Sequence, residues 1–171
     1  NALDAMDLTK RLEFRPALTV KLPENVSIRK VVPSGADVYL LDGTSGSVLR
    51  IAYNTKGYFE LDANFKCAPG PSGLNTIGHL IDLVPLPVNQ PDNYRVMGID
   101  SDGNLLYCSV EGTPSSQRLP APSGGWGKIA GFTLDQSNLY ILDVDEKTVW
   151  MYPGNGINFV VTPQPFFDEE I

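Results

Sequence analysis

The chain has 171 residues, of which 42% are hydrophobic, and its formal net charge is −7. These values suffice for one packed domain, while 16 glycines and 14 prolines favour many turns over long helices. The acidic balance excludes nucleic acid and an anionic membrane surface as expected partners, and no apolar run approaches the roughly 20 residues that span a bilayer.

The first residues predict the end of a helix. Apolar side chains recur at helical spacing within residues 2–14, and Pro16 then removes a backbone donor and ends the helix. We interpret residues 1–25 as the end of an upstream helix followed by a linker, with a short frayed helix that caps the domain as the alternative. Because the chain begins with Asn1 rather than Met, the whole sequence is interpreted as a fragment of a longer protein.

Three stretches of the chain repeat one pattern. Each is an apolar strand that stops at an Asp, then a short polar turn, then a second strand. The three hairpins cover residues 37–53, 94–110 and 138–152. Their spacing of about forty to sixty residues is within the range of propeller blades, so the repeat predicts a β-propeller.

The predicted fold is all-β, a partial β-propeller of about three four-stranded antiparallel blades with a short N-terminal helix. The blades are assigned to residues 26–62, 79–119 and 128–161, with the outer strand of the third at 157–161. Propellers close with about four to eight blades, so we expect half of a six-bladed ring. Residues 162–171 are interpreted as a tail leading to a missing blade. The expected partner is therefore the remaining blades of the same protein or a second copy.

An Asp ends the second strand of every repeat, at Asp42, Asp100 and Asp143. Asp side chains accept hydrogen bonds from backbone N–H groups two residues on, so these residues are predicted to fix the turns. The alternative is a calcium loop, because residues 100–111 are rich in oxygen ligands. That loop requires Gly at its sixth position, where Leu105 stands, which favours the turn.

The two cysteines admit two interpretations. Cys67 follows the first blade and Cys108 lies within a strand of the second, so the fold could bring them together. In the first interpretation they form a disulfide in an oxidising compartment. In the second they are unpaired, small and buried hydrophobic residues.

The sequence predicts no catalytic residue, metal or cofactor. Its one histidine, His79, begins an inner strand, and no serine or cysteine has an evident base. Asp82 and Lys128 could face the same central channel as His79. The three residues are therefore a candidate ligand-binding site, with the alternative that each is an ordinary structural residue.

Residues 129–143, and in part Gly98–Tyr107, resemble the blade signature of NHL- and YVTN-type β-propellers. The wider pattern is similar to bacterial proteins in which a membrane-anchored stalk carries an extracytoplasmic propeller. The resemblance implies a non-enzymatic sensing or interaction domain that binds a protein or small ligand outside the cytoplasm. It brings no catalytic residue set with it.

A metal-dependent hydrolase of the lactonase or gluconolactonase kind is the alternative function, because such enzymes also use six-bladed propellers. Their chemistry needs several carboxylate and Asn ligands around an ion at the channel mouth. The predicted inner strands contain only Asp82 as a carboxylate, which favours binding over hydrolysis.

Overall fold

The computed structural model describes residues 16–87 and 92–167. Within these ranges the chain forms three four-stranded antiparallel sheets and one two-stranded sheet. In every four-stranded sheet, strands that follow one another in sequence are also neighbours in the sheet. Short polar turns connect them, as expected for a glycine- and proline-rich chain.

The strands fall into four groups along the chain. Sheet 1 consists of β1 (Ile28–Ser34), β2 (Asp37–Asp42), β3 (Val48–Tyr53) and β4 (Phe59–Leu61). A hairpin of β5 (Gly70–Ser72) and β6 (Asn75–Ile77) follows. Sheet 2 consists of β7 (Leu80–Pro85), β8 (Tyr94–Asp100), β9 (Asn104–Ser109) and β10 (Ser115–Arg118). Sheet 3 consists of β11 (Ile129–Asp135), β12 (Asn138–Asp143), β13 (Thr148–Pro153) and β14 (Gln164–Pro165).

The first strands of the three sheets lie side by side, with β7 in contact with β1 and with β11. All three carry the same irregularity near their start, a register shift after Ile28, Leu80 and Ile129. One apolar core fills the space between sheets 1 and 2, and another fills the space between sheets 2 and 3. This all-β arrangement of repeated sheets is compatible with a β-propeller.

The predicted hairpins are confirmed, since β2 pairs with β3, β8 with β9 and β12 with β13. The outer strand predicted at 157–161 is wrong, because the fourth strand of sheet 3 is β14. Residues 157–159 instead contact sheet 2: Tyr107 donates to the carbonyl of Ile157 at 2.8 Å, and Gln117 donates to the carbonyl of Phe159 at 2.6 Å. The Phe159 ring is fully buried, so core packing competes successfully with strand pairing here.

The fold class needs one correction, because the short N-terminal helix is not supported. The part of the chain that the structure describes contains strands and loops and no helix, and the predicted helix at 2–14 lies outside the described residues. The described residues before β1 run as an irregular segment, in which Leu18 forms an isolated parallel bridge to Phe59. Pro16 and Pro23 suit such a segment because neither can donate a backbone hydrogen bond.

A disulfide joins Cys67, which follows sheet 1, to Cys108 in β9 of sheet 2. Their Cα atoms are 5.7 Å apart, and both side chains are buried in the core between these sheets. The bond therefore ties the segment that follows sheet 1 to the interior of sheet 2.

Candidate functional site

Each of the three repeated Asp side chains holds two separate segments of backbone. Asp42 accepts from the N–H of Thr44 in its own turn at 3.0 Å and from the N–H of Ser27, just before β1, at 2.9 Å. Asp100 accepts from Asp102 in its own turn and from Gly78, which precedes β7, at 2.9 and 2.8 Å. These carboxylates therefore fix both the turn and the start of the first strand.

Asp143 has the same arrangement in sheet 3. It accepts from the N–H groups of Gly127 and Lys128 at 2.9 and 2.8 Å, and from Glu146 in its own turn. A Cβ atom at position 127 would lie 2.7 Å from Asp143 Oδ1, so Gly127 allows the close approach of the carboxylate. The three carboxylates therefore act as anchors of the fold.

The hydrogen bonds of two of these anchors also change their acidity. Burial opposes ionisation of Asp42, but the hydroxyl of Ser45 and backbone N–H groups outweigh it and lower the pKa of Asp42 to about 2. Burial likewise opposes ionisation of Asp143, and its backbone hydrogen bonds lower its pKa nonetheless. Both groups are therefore charged at neutral pH.

Asp82 connects the first strands of all three sheets. Its carboxylate accepts from Lys30 Nζ in β1 at 2.7 Å and from the backbone N–H of Phe132 in β11 at 3.0 Å. It also accepts from the N–H of Leu83 in its own strand at 2.8 Å. Sequence reasoning missed Lys30, although Lys30 and Asp82 hold the same position after the register shift in β1 and β7.

The structure places His79 and Lys128 at equivalent positions, one residue before β7 and one residue before β11, and both are exposed. No hydrogen bond or ion pair joins any two of His79, Asp82 and Lys128 within 16–87 and 92–167. Asp82 is instead paired with Lys30. The candidate ligand residues thus lie at the same end of neighbouring strands, but the carboxylate of Asp82 is bonded to Lys30 and not to Lys128.

A polar cleft of about 570 Å³ lies at the opposite end of the first strands, between sheets 1 and 2. Loops from both sheets line it, and they contribute charges of both signs. The charged side chains in its wall are Asp37, Arg50, Asp92, Arg95 and Glu111. Sequence reasoning missed this cleft, because its residues come from strands and loops that are distant in the chain.

Two carboxylates hold Arg50 in the wall of the cleft. Its guanidinium contacts Asp37 Oδ2 and Asp62 Oδ2, each at 2.7 Å. Burial disfavours its charge, but these two carboxylates raise the pKa of Arg50 above its ordinary value. Burial, and next the neighbouring Asp37, raise the pKa of Tyr39 to about 12. Arg50 is therefore a charged side chain whose guanidinium is already engaged by two carboxylates of the same chain.

Sheet 3 exposes an apolar face on the side away from sheet 2. We call this surface the trailing face; Tyr140, Leu142 and Val149 form its centre, and Phe166 packs edge-on against Tyr140. The equivalent residues of sheets 1 and 2 are buried at the junctions with the next sheet. A cavity of about 370 Å³ opens on the trailing face above Gly131.

No cluster of three or more His, Cys, Asp and Glu side chains that could hold a metal ion occurs among the residues of known placement. In the same residues, no helix has the length and apolar character needed to cross a membrane. Comparison with protein-family models, with curated proteins and with solved structures finds no match.

Proposed function

We propose that this chain is part of an NHL-type β-propeller that acts as a non-enzymatic sensing or interaction domain for a protein or small ligand. The observation that carries the propeller assignment is the trailing face, where an apolar position that is buried between the other sheets lies exposed. Leu142 is 44% exposed there, whereas the equivalent Leu41 and Ile99 are completely buried against the following sheet. A contiguous apolar surface of this kind is typical of a site for protein contact.

The repeated architecture supports the propeller assignment. Three sheets with the same strand order, the same register shift and the same Asp anchor follow one another around adjacent first strands. In the proposed assembly, the trailing face is covered by the remaining blades of the same protein or by a second copy. Ring closure at six blades lies within the range that propellers adopt.

We place the domain on the extracytoplasmic face of a bacterial membrane. The Cys67–Cys108 disulfide supports this location, since structural disulfides persist in oxidising compartments. The net charge of −7 also suits a solvated domain held away from anionic lipid. In this proposal His79 and Lys128 contact a small ligand at the inner end of the sheets, beside Asp82.

The hydrolase alternative would need several metal ligands at one end of the inner strands. In β1, β7 and β11, the carboxylates are Asp82, which is already bonded to Lys30 and two backbone N–H groups, and Asp135 at the far end of β11. The described residues therefore favour binding.

Metal analysis and a lactone hydrolysis assay on the wild type and on Asp82→Asn test this preference. We expect no stoichiometric Ca²⁺ or Zn²⁺ and no difference in hydrolysis between the two proteins. Stoichiometric metal together with hydrolysis that Asp82→Asn abolishes would establish the enzyme instead.

A further inference from the structure

The two ends of the row of sheets expose apolar positions that are buried inside it. At one end is the trailing face of sheet 3. At the other end is the opposite face of sheet 1, which we call the leading face. Val31 on the leading face is 59% exposed, whereas the equivalent Leu83 and Phe132 are buried against the preceding sheet. Among the described residues, no sheet therefore covers Val31 or Leu142 as the internal sheets cover their equivalents, although Leu40, the cross-strand partner of Val31, is 7% exposed.

We infer that the trailing face of sheet 3 binds the leading face of sheet 1 in a second copy of this chain. The inference rests on the proposed propeller assembly and names its partner. At both internal junctions a trailing face meets the leading face of the next sheet, so sheet 3 and sheet 1 of another copy continue an interface the chain already uses. Two copies joined head to tail cover both ends at once and close a ring of six sheets.

The turn that follows each Asp decides how closely the next sheet approaches. Gly46, Gly103 and Lys147 occupy this turn with left-handed φ values of 70°, 78° and 52°. A Cβ atom on Gly46 would lie 2.7 Å from Cγ of His79, and one on Gly103 would lie 2.6 Å from Nε1 of Trp126. Glycine therefore makes room for a large side chain of the incoming sheet.

Lys147 lacks that room because it has a Cβ atom of its own. Any sheet that packs on the trailing face must therefore present a small residue at this contact. Sheet 1 has smaller residues at both contact positions, since Ser27 stands where His79 precedes β7, and Asn25 stands where Trp126 precedes β11. The exchange removes the closest side-chain contact. The incoming backbone must also lie farther out than at the junction of sheets 1 and 2, because Leu80 N and His79 Cα would lie 2.8 and 2.9 Å from a Cβ at position 46. At the junction of sheets 1 and 2, the glycine lies on the first sheet and the large residue lies on the next. At the proposed junction the larger residue, Lys147, lies on sheet 3 and the small residue, Ser27, lies on sheet 1.

Sedimentation velocity over a concentration series of the 171-residue chain tests the inference. We expect the wild type to form a dimer. Val31→Asp and Leu142→Asp should each raise the dissociation constant at least about tenfold, because each buries a charge in both junctions of the ring. Leu74→Asp is the matched control, since Leu74 is fully exposed at the tip of the β5–β6 hairpin, on neither end face, and should leave the dimer unchanged.

The variants also separate this arrangement from others. Pairing of two trailing faces would be weakened by Leu142→Asp and left intact by Val31→Asp, and that result would overturn the inference. Ser27→Trp restores a large residue opposite Lys147, so it should weaken the dimer as well; an unchanged dimer would contradict the size exchange. Ser27 is exposed, so the variant should fold normally.

A monomeric wild type with intact sheets would overturn the second-copy assignment. It would leave the proposed binding function standing, because the remaining blades of the same protein would then cover both end faces. Circular dichroism of all variants shows whether the sheets are intact.

Discussion

The carboxylate of Asp100 accepts a hydrogen bond of 2.8 Å from the backbone N–H of Gly78, which lies 22 residues earlier in the chain. Asp100 is completely buried, and it also binds the N–H groups of Asp102 and Asn104 in its own turn. One side chain thus joins the start of the first strand of sheet 2 to the turn between its second and third strands. The same connection in sheets 1 and 3 makes it the defining feature of the repeat.

Asp100→Ala should destabilise the protein by about 2–4 kcal/mol, because it leaves the N–H groups of Gly78, Asp102 and the buried Asn104 without their acceptor. Asp102→Ala, in the same turn but with an exposed side chain, should change stability by less than about 0.5 kcal/mol. Urea unfolding followed by circular dichroism measures both. Equal losses of stability in Asp100→Ala and Asp102→Ala would show that Asp100 acts only through its local turn.

Stability should fall in acid because the pKa of Asp42 is lowered to about 2 in the folded protein. An unfolded Asp has a pKa of about 3.9, so the stabilisation is complete above that value and is lost as the pH falls through the folded value. We expect the urea midpoint to drop between about pH 4 and pH 2. In Asp42→Asn the drop should be smaller but present, since Asp143 also has a lowered pKa. An unchanged drop would exclude Asp42 as a source.

Removal of the disulfide should lower the free energy of unfolding by about 2–4 kcal/mol, because the Cys67–Cys108 bond closes a loop with a sequence separation of 41. The double variant Cys67→Ala/Cys108→Ala and the wild type in reductant should show similar losses in chemical denaturation. Reductant should have no effect on the double variant. A wild type that reductant does not weaken would show that the bond adds no stability.

Gly46→Ala should destabilise the junction between sheets 1 and 2 by about 1–3 kcal/mol more than Gly73→Ala does. Both glycines have similar left-handed φ values, 70° and 60°, so both variants carry the same backbone strain. Only at Gly46 would the new Cβ meet neighbours, with Leu80 N at 2.8 Å, whereas Gly73 has open space. Thermal unfolding of the pair isolates the effect of sheet packing, and equal losses would argue against a close junction.

Local turn chemistry is the part of this fold that the sequence reveals. The strands that end at Asp42, Asp100 and Asp143 were predictable because alternating apolar residues and an Asp-led turn are encoded within about fifteen residues. The hydrogen bond that each Asp accepts from the backbone before the first strand was not predictable. It depends on how that segment packs against the sheet, which the local sequence does not encode. The ion pair of Lys30 and Asp82 was not predictable either, because it forms only when sheets 1 and 2 pack together.

Two further differences between the sequence prediction and the structure arise from packing. Residues 157–161 have the composition of an outer strand, but Phe159 gains more from burial between sheets 2 and 3 than from strand pairing. The polar cleft beside Arg50 is lined by strands and loops of two sheets, so no pattern in one stretch of the sequence predicts it. Of the candidate ligand residues, the equivalence of His79 and Lys128 follows from the repeat, while the engagement of Asp82 by Lys30 does not.

Small-angle X-ray scattering of the purified chain tests the central claim most directly, because the claim concerns how whole sheets are arranged. If the three sheets form an open arc whose ends complete each other, the curve will fit a closed disc of two copies with a central channel. A curve that fits a single isolated arc, or two copies stacked through one face, would contradict it.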